Sequence, residues 1–252
     1  MKILLKSLKS IKLVYTLCLV LMSTSSSFAQ NFTGRVTYMS HKSIDLKLDS
    51  TKYDLETRNK LQGFFTKQFQ DEYVLDFSAT TSLYSEQDKI SLNSTSKIGR
   101  DKLHKNFKTK FYTRKLELLG KVFLIEDSIK SKNWEIKNET KNIGNYTCTK
   151  ATYNYKKNDS LIKVTAWFTK EIPVSNGPDI YDGLPGLILQ VDDGFYAILS
   201  TKVELNTENT IKLPKGGKVV TQNEYDAIYA EKQKEGKSKA RAYLQGIESS
   251  KN

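Results

Sequence analysis

The stretch Tyr181-Asp182-Gly183-Leu184-Pro185-Gly186-Leu187-Ile188-Leu189-Gln190-Val191 places a glycine–proline corner directly before an apolar run. Proline holds φ near −65° and glycine accepts positive φ. Leu184-Pro185-Gly186-Leu187 therefore fits a type II turn, with Pro185 second and Gly186 third. Leu184, preceding proline, is pushed towards extended geometry. Gly177-Pro178 bends the chain a few residues earlier. Leu187, Ile188 and Leu189 follow without polar alternation, the pattern of a strand covered on both faces. A phosphate-cradling loop would lead into a helix, with a lysine and a hydroxyl residue after it. Neither follows here, so the stretch reads as a structural corner feeding a buried strand.

Working outward, the neighbouring sequence is strand-like. Asp192-Asp193-Gly194 is a strong turn signal joining residues 187–191 to 195–203 as a hairpin. Residues 146–155 pair with 161–169 in the same way. Earlier strands are expected at 34–39, 73–77, 110–113, 121–125 and 133–136, with Gly120 in a turn. Residues 85–105 are polar and charged and read as a loop or a partly ordered excursion. Leu55, Leu61, Phe64, Phe65 and Phe69 recur at helical spacing, which predicts an amphipathic helix over 54–70. Thr221-Gln222-Asn223-Glu224 fits a capping box that opens a second helix. Gly236 weakens or breaks that helix, and Lys232, Lys234, Lys237, Lys239 and Arg241 make its later part basic. The expected fold is mainly β (α+β): a curved antiparallel sheet, in its more closed version a half-barrel, with an early amphipathic helix and a C-terminal helix. Residues 30–220 would form the β domain and 221–252 a basic helical tail.

The N-terminal 29 residues read as an export signal. Lys2, Lys6, Lys9 and Lys12 precede a ten-residue apolar run, and Ser27 and Ala29 are the small residues that a signal peptidase needs. Ten apolar residues make a helix of about 15 Å, against a hydrocarbon core of roughly 30 Å. Cleavage after Ala29 would leave 223 of the 252 residues, and loss of the four lysines lowers the net charge from +12 to about +8. The expected location is the periplasm or the outer membrane's periphery, with at most peripheral membrane contact. A basic protein favours anionic surfaces, but no nucleic-acid motif interleaves its aromatic and basic residues. Of two cysteines only Cys148 would remain, in an alternating, strand-like setting that suits a buried packing role.

The hexapeptide Gly183-Leu184-Pro185-Gly186-Leu187-Ile188 also carries a resemblance. With Tyr146-Thr147-Cys148-Thr149-Lys150-Ala151, Ala166-Trp167-Phe168-Thr169, Glu171-Ile172-Pro173 and Gly177-Pro178 in order before it, the chain resembles the GLPGLI family of exported bacterial proteins. That resemblance implies an envelope protein, often encoded near outer-membrane receptors of the TonB-dependent type. It supplies no catalytic residues to carry over.

Sites for chemistry are sparse. His41 and His104 are the only histidines, and neither has a partner at zinc-site spacing. Pro214-Lys215-Gly216-Gly217-Lys218 has the glycines of a phosphate loop, but Val219 stands where a hydroxyl residue is needed. Asp179, Asp182, Asp192 and Asp193, with Glu171 before them, are turn-forming carboxylates that could also bind a hard cation or do acid–base work. No cofactor is implied. The leading expectation is a non-enzymatic binding or accessory protein working with an outer-membrane receptor or another envelope protein. A carrier of an apolar ligand such as lipid, closed by the Phe64-Phe65-Phe69 helix, and a carboxylate hydrolase near Asp182 and Asp192 stand beside it. Phe64, Phe65, Phe69, Trp167 and Tyr181 are the candidate ligand-facing residues.

Overall fold

The computed structural model describes residues 32–42, 51–68, 70–87, 101–157 and 160–249, so the export-signal segment and Phe69 lie outside the described residues. In chain order the strands are β1 (Gly34–Lys42), β2 (Gln70–Phe77), β3 (Thr81–Glu86), β4 (Lys102–Asn106), β5 (Phe111–Leu118), β6 (Lys121–Ser128), β7 (Glu135–Ile143), β8 (Tyr146–Lys157), β9 (Ser160–Thr169), β10 (Leu187–Asp192), β11 (Tyr196–Leu205) and β12 (Lys218–Val220). Helix α1 (Leu55–Gln68) connects β1 to β2, and α2 (Gln222–Ser249) follows β12. All twelve strands join one sheet in the order β12-β6-β5-β4-β3-β2-β1-β11-β10-β9-β8-β7. It is an open, curled sheet rather than a closed barrel, since β12 and β7 remain its two edges. The pairing is antiparallel except where β12 runs parallel to β6. The mainly antiparallel sheet with one early and one late helix is as expected, and the parallel β12–β6 pair at one edge is an addition to it.

Register decides which side chains face inward, because directly opposed residues share a face. One row runs Leu75, Tyr84, Leu103, Arg114 and Ile125 across β2 to β6. The next row is Phe77, Ser82, Lys105, Tyr112 and Asp127. Between β9 and β10, residues 170–186 form a segment that buries Ile172, Val174, Asn176, Tyr181, Asp182 and Leu184. It is tied to β10 by Leu187 N donating to Ile172 O (3.0 Å) and Ile188 N donating to Asn176 O (2.9 Å). Leu187, Ile188, Leu189 and Val191 are all fully buried, as the unalternated run requires.

The corner itself is not a type II turn. Such a turn needs positive φ at Gly186, and that residue does not have it; Gly183 does, with φ of +92°. Instead Gly186 N donates to Leu184 O at 2.8 Å, a three-residue turn centred on Pro185. Glycine is needed at 186 for space rather than for φ. A Cβ there would stand 2.1 Å from Thr169 O. Just beyond, the β10–β9 register shifts between Ile188 and Gln190, and the bulge leaves Ile188 O to accept from Tyr38 OH at 2.6 Å.

Three further expectations change. Both ends of the 85–105 stretch are strand, since Ser85 and Glu86 end β3 and Lys102–Asn106 is β4, while residues 88–100 lie outside the described residues. The inward residue that masks β4 in the sequence is Lys105, a charge at a core position. Gly236 does not break α2, which is continuous from Gln222 to Ser249. A glycine inside a helix costs only about 1 kcal/mol relative to alanine. The 133–136 strand begins instead at Glu135, leaving Trp134 just ahead of β7. The capping box forms as read, with Thr221 N donating to Glu224 Oε2 (2.7 Å) and Glu224 N donating to Thr221 Oγ1 (3.3 Å). Tyr225 and Ile228 then seat α2 on Phe123, Ile125 and Val220. Gly120 and Gly194 take positive φ, 77° and 81°, in the turns assigned to them.

Cys148 is fully buried on β8, and burial pushes its thiol up from 9.0 to about 11, with Glu171 adding to the rise and Lys141 opposing it. The unfolded chain therefore loses this proton near pH 9 while the folded chain keeps it. The associated stability is complete below pH 9 and is lost as pH rises through 11. Comparing urea midpoints with Cys148→Ala isolates the effect. The gap in stability between the two proteins should shift against the wild type across that range, and a constant gap would contradict it.

Candidate functional site

The buried segment brings charges into the concave interior. Lys105, 2% exposed, reaches from β4 to Asp179 O (2.9 Å), Gly177 O (3.4 Å) and Asp182 Oδ2 (3.4 Å). Burial lowers its pKa, and the Asp182 charge works against that lowering. The other Asp182 oxygen accepts from Lys132 Nζ at 2.8 Å. Trp134 Nε1 donates to Asp182 O at 2.8 Å, so backbone and carboxylate are both fixed. Breaking a buried pair of this kind strands a charge, which costs about 3–5 kcal/mol.

Arg114 makes a second cluster. Its guanidinium grips Asp101 with two hydrogen bonds, one of them Nε to Oδ1 at 2.8 Å, and its Nη1 lies 3.1 Å from Asp179 Oδ1. Burial disfavours the Arg114 charge, but Asp179 and Asp101 outweigh that and raise its pKa. Burial likewise raises the pKa of Asp101, with Arg114 opposing. Asp179 holds its backbone at φ of +48°, the left-handed region that side chains other than glycine adopt sparingly.

Two cavities share Arg114 and Asp179 in their walls. The larger, about 630 Å³, carries five cationic side chains, Lys105, Arg114, Lys130, Lys132 and Lys156, against Asp179, Asp182 and Asp226. Its remaining surface includes Leu103, Ile129, Ile180 and the rings of Tyr112, Tyr153 and Tyr155. Helix α2 closes one side through Gln222, whose Oε1 accepts from Tyr112 OH at 2.9 Å. Burial, with Asp127 nearby, pushes the Tyr112 phenol up to about 12. Lys105 and Lys132 are engaged by Asp182, and Arg114 by Asp101 and Asp179. Among the described residues neither Lys130 nor Lys156 is ion-paired. The smaller cavity, about 320 Å³, is lined by aspartates and tyrosines. Among the described residues no group of three or more His, Cys, Asp or Glu side chains is arranged to hold a metal ion.

Comparison with known proteins adds fold, not activity. A family model described as a protein of unknown function (Porph_ging) matches residues 153–190, which cover β9, the buried segment and the corner. No curated protein matches the chain. Two solved structures of PNGF-II, in the P21 and C2 space groups, superpose with TM-scores of 0.51 at 15% identity. They cover 77% and 78% of this chain, which in turn spans about a third of theirs (32%). At that identity the likeness concerns the fold alone.

The sequence candidates fall in different places. Tyr181 lines the smaller cavity, and its hydroxyl donates to Asp193 Oδ2 at 2.8 Å. Trp167 lies outside both cavities, beneath Lys141 Nζ at 4.3 Å from the ring centroid. Phe64 and Phe65 sit on α1, but their side chains, like Phe69, lie outside the described residues. None of Gly183, Leu184, Pro185, Gly186, Leu187 and Ile188 lines either cavity: Leu184, Leu187 and Ile188 are buried in the core, Gly186 packs against Thr169, and Gly183 and Pro185 are exposed, Gly183 beside Asp182. Lys105, Arg114, Lys132, Tyr73 and Tyr84 were not singled out by sequence reasoning. The one available signal was alternation, since Leu103 and Lys105 share a face of β4.

Proposed function

We propose that this is a non-enzymatic binding protein of the cell envelope whose larger cavity holds a ligand that joins an anionic group to an apolar body. The observation that carries this reading is the pair Lys130 and Lys156, exposed cations that form no salt bridge among the described residues, beside apolar and tyrosine surface; Lys130 feels only the more distant Asp127 charge. A volume of about 630 Å³ lies within the range of small-molecule sites, roughly 300–1,000 Å³. The net charge of +12, about +8 without the first 29 residues, favours an anion as well. The carrier reading is thereby narrowed to amphiphiles. The hydrolase reading has less support: both Asp182 oxygens are held by lysines, and Asp192 Oδ1 accepts from Gly194 N (2.8 Å) within a turn. A carboxylate so engaged is a counter-ion rather than a general base.

The export-like first 29 residues support the envelope location. The complete hexapeptide from Gly183 through Leu184, Pro185, Gly186, Leu187 and Ile188 supports membership of the GLPGLI family. Work beside a TonB-dependent receptor is the role that this resemblance suggests. Replacing both exposed lysines (Lys130→Glu with Lys156→Glu) should weaken retention of the co-purified ligand at least about tenfold, since loss of two charge contacts exceeds 1.4 kcal/mol. The melting temperature should hold. Unchanged retention would remove the larger cavity as the site.

A further inference from the structure

The smaller cavity has the opposite character. Asp71, Asp101, Asp179 and Asp193 face it against the single guanidinium of Arg114, a formal charge of −3 inside a chain of net charge +12. Aromatic surface comes from Tyr73, Tyr84, Tyr181 and Tyr196. Tyr73 and Tyr84 stack in parallel with ring centroids 4.8 Å apart. Faces of tyrosine rings attract cations through their quadrupole, and carboxylates beside them add direct attraction.

Acidic residues alone do not make a site, but one buried atom here lacks the partner that burial demands, and a second has only an ion pair. Tyr84 is 3% exposed, and its hydroxyl has no hydrogen-bond partner among the described residues. Asp179 Oδ1 is also buried and, although 3.1 Å from Arg114 Nη1, makes no aligned hydrogen bond. Buried polar atoms are nearly always bonded, so each orphan calls for an explanation. Both oxygens can accept. Burial, reinforced by the Asp179 charge, raises the Tyr84 pKa, so the group stays a neutral phenol. A ligand with several N–H donors and a positive charge answers the unpartnered Tyr84 hydroxyl, the Asp179 oxygen that has no hydrogen bond, the excess of carboxylate and the ring faces together.

We propose that the smaller cavity binds a primary ammonium group of a small organic amine, with Tyr84 OH and Asp179 Oδ1 accepting from its N–H groups. About 320 Å³ is enough for a short alkyl amine and near the lower bound for ligand sites. The inference rests on the interior being a binding surface, yet its test is separate. Loss of the anionic ligand from the larger cavity would leave this proposal standing.

The probe is 1,5-diaminopentane, titrated by calorimetry into the full folded protein at neutral pH and low salt, with glucose and tetramethylammonium as controls. Saturable binding of the diamine is expected, with the quaternary ion at least about tenfold weaker because it has no N–H to donate. Tyr84→Phe removes a hydroxyl that is unbonded in the free protein. Its melting temperature should hold or rise while diamine affinity falls about tenfold. Asp71→Asn, on a half-buried strand position, provides a second variant with a similar loss expected. No saturable diamine binding, tighter binding of glucose, or unchanged affinity in both variants would overturn the proposal.

Discussion

Gly186→Ala is expected to lower the urea midpoint by the equivalent of about 3 kcal/mol or more. The added Cβ would meet Thr169 O at 2.1 Å and Thr169 C at 2.7 Å, both backbone atoms that cannot rotate away. Relief requires β9 and the corner to separate. That motion pulls on the Gly186 N to Leu184 O bond and on Leu187 N to Ile172 O (3.0 Å). Since residues 170–186 also supply Asp179 and Asp182, ligand binding should fall with stability. Gly236→Ala makes the contrasting case, because nothing lies within 4 Å of its added methyl. There the gain should be about 0.5–1 kcal/mol in helix stability, read as increased helical ellipticity. A Gly186→Ala protein as stable as the wild type would show that the close approach to Thr169 is not what fixes this glycine.

Asp182→Ala is expected to cost about 3–5 kcal/mol, because it leaves the Lys105 ammonium buried beside carbonyls and a second lysine. Lys132→Ala should cost less, since its side chain is 12% exposed against 2% for Lys105. The diagnostic is the double variant. With Lys105→Met already in place, Asp182→Ala should lose less than it does alone, with a coupling of about 1–3 kcal/mol between the two positions. Additive losses would mean that the pair does not act as a unit. Because Trp134 Nε1 donates to Asp182 O, the backbone there stays anchored in either variant, and indole fluorescence reports whether it does.

The architecture was legible where side chains obey the period of their strand. Leu187, Ile188 and Leu189 announced a buried strand, Asp192-Asp193-Gly194 announced a hairpin turn, and Thr221 with Glu224 announced a helix start. Each of those signals is local. The corner was legible as a corner, but its geometry was not, because the demand on Gly186 comes from Thr169, seventeen positions away and invisible to turn rules. Strand β4 was missed since its inward lysine looks polar until Asp182 and the carbonyls of Gly177 and Asp179 are brought to it. The same holds for the cavities. Tyr73, Tyr84 and Arg114 sit on strands that the register aligns, and no spacing in the sequence joins them to Asp179.

The central claim, that the concave interior is a ligand-binding surface, is tested most directly by native mass spectrometry on protein released gently from its own cells. A discrete added mass that is lost on organic extraction, and that is absent when Lys130 and Lys156 are both replaced by glutamate, is the expected result. A bare mass for the wild-type protein, with lipid and polar extracts of the same cells failing to restore an adduct, would contradict it.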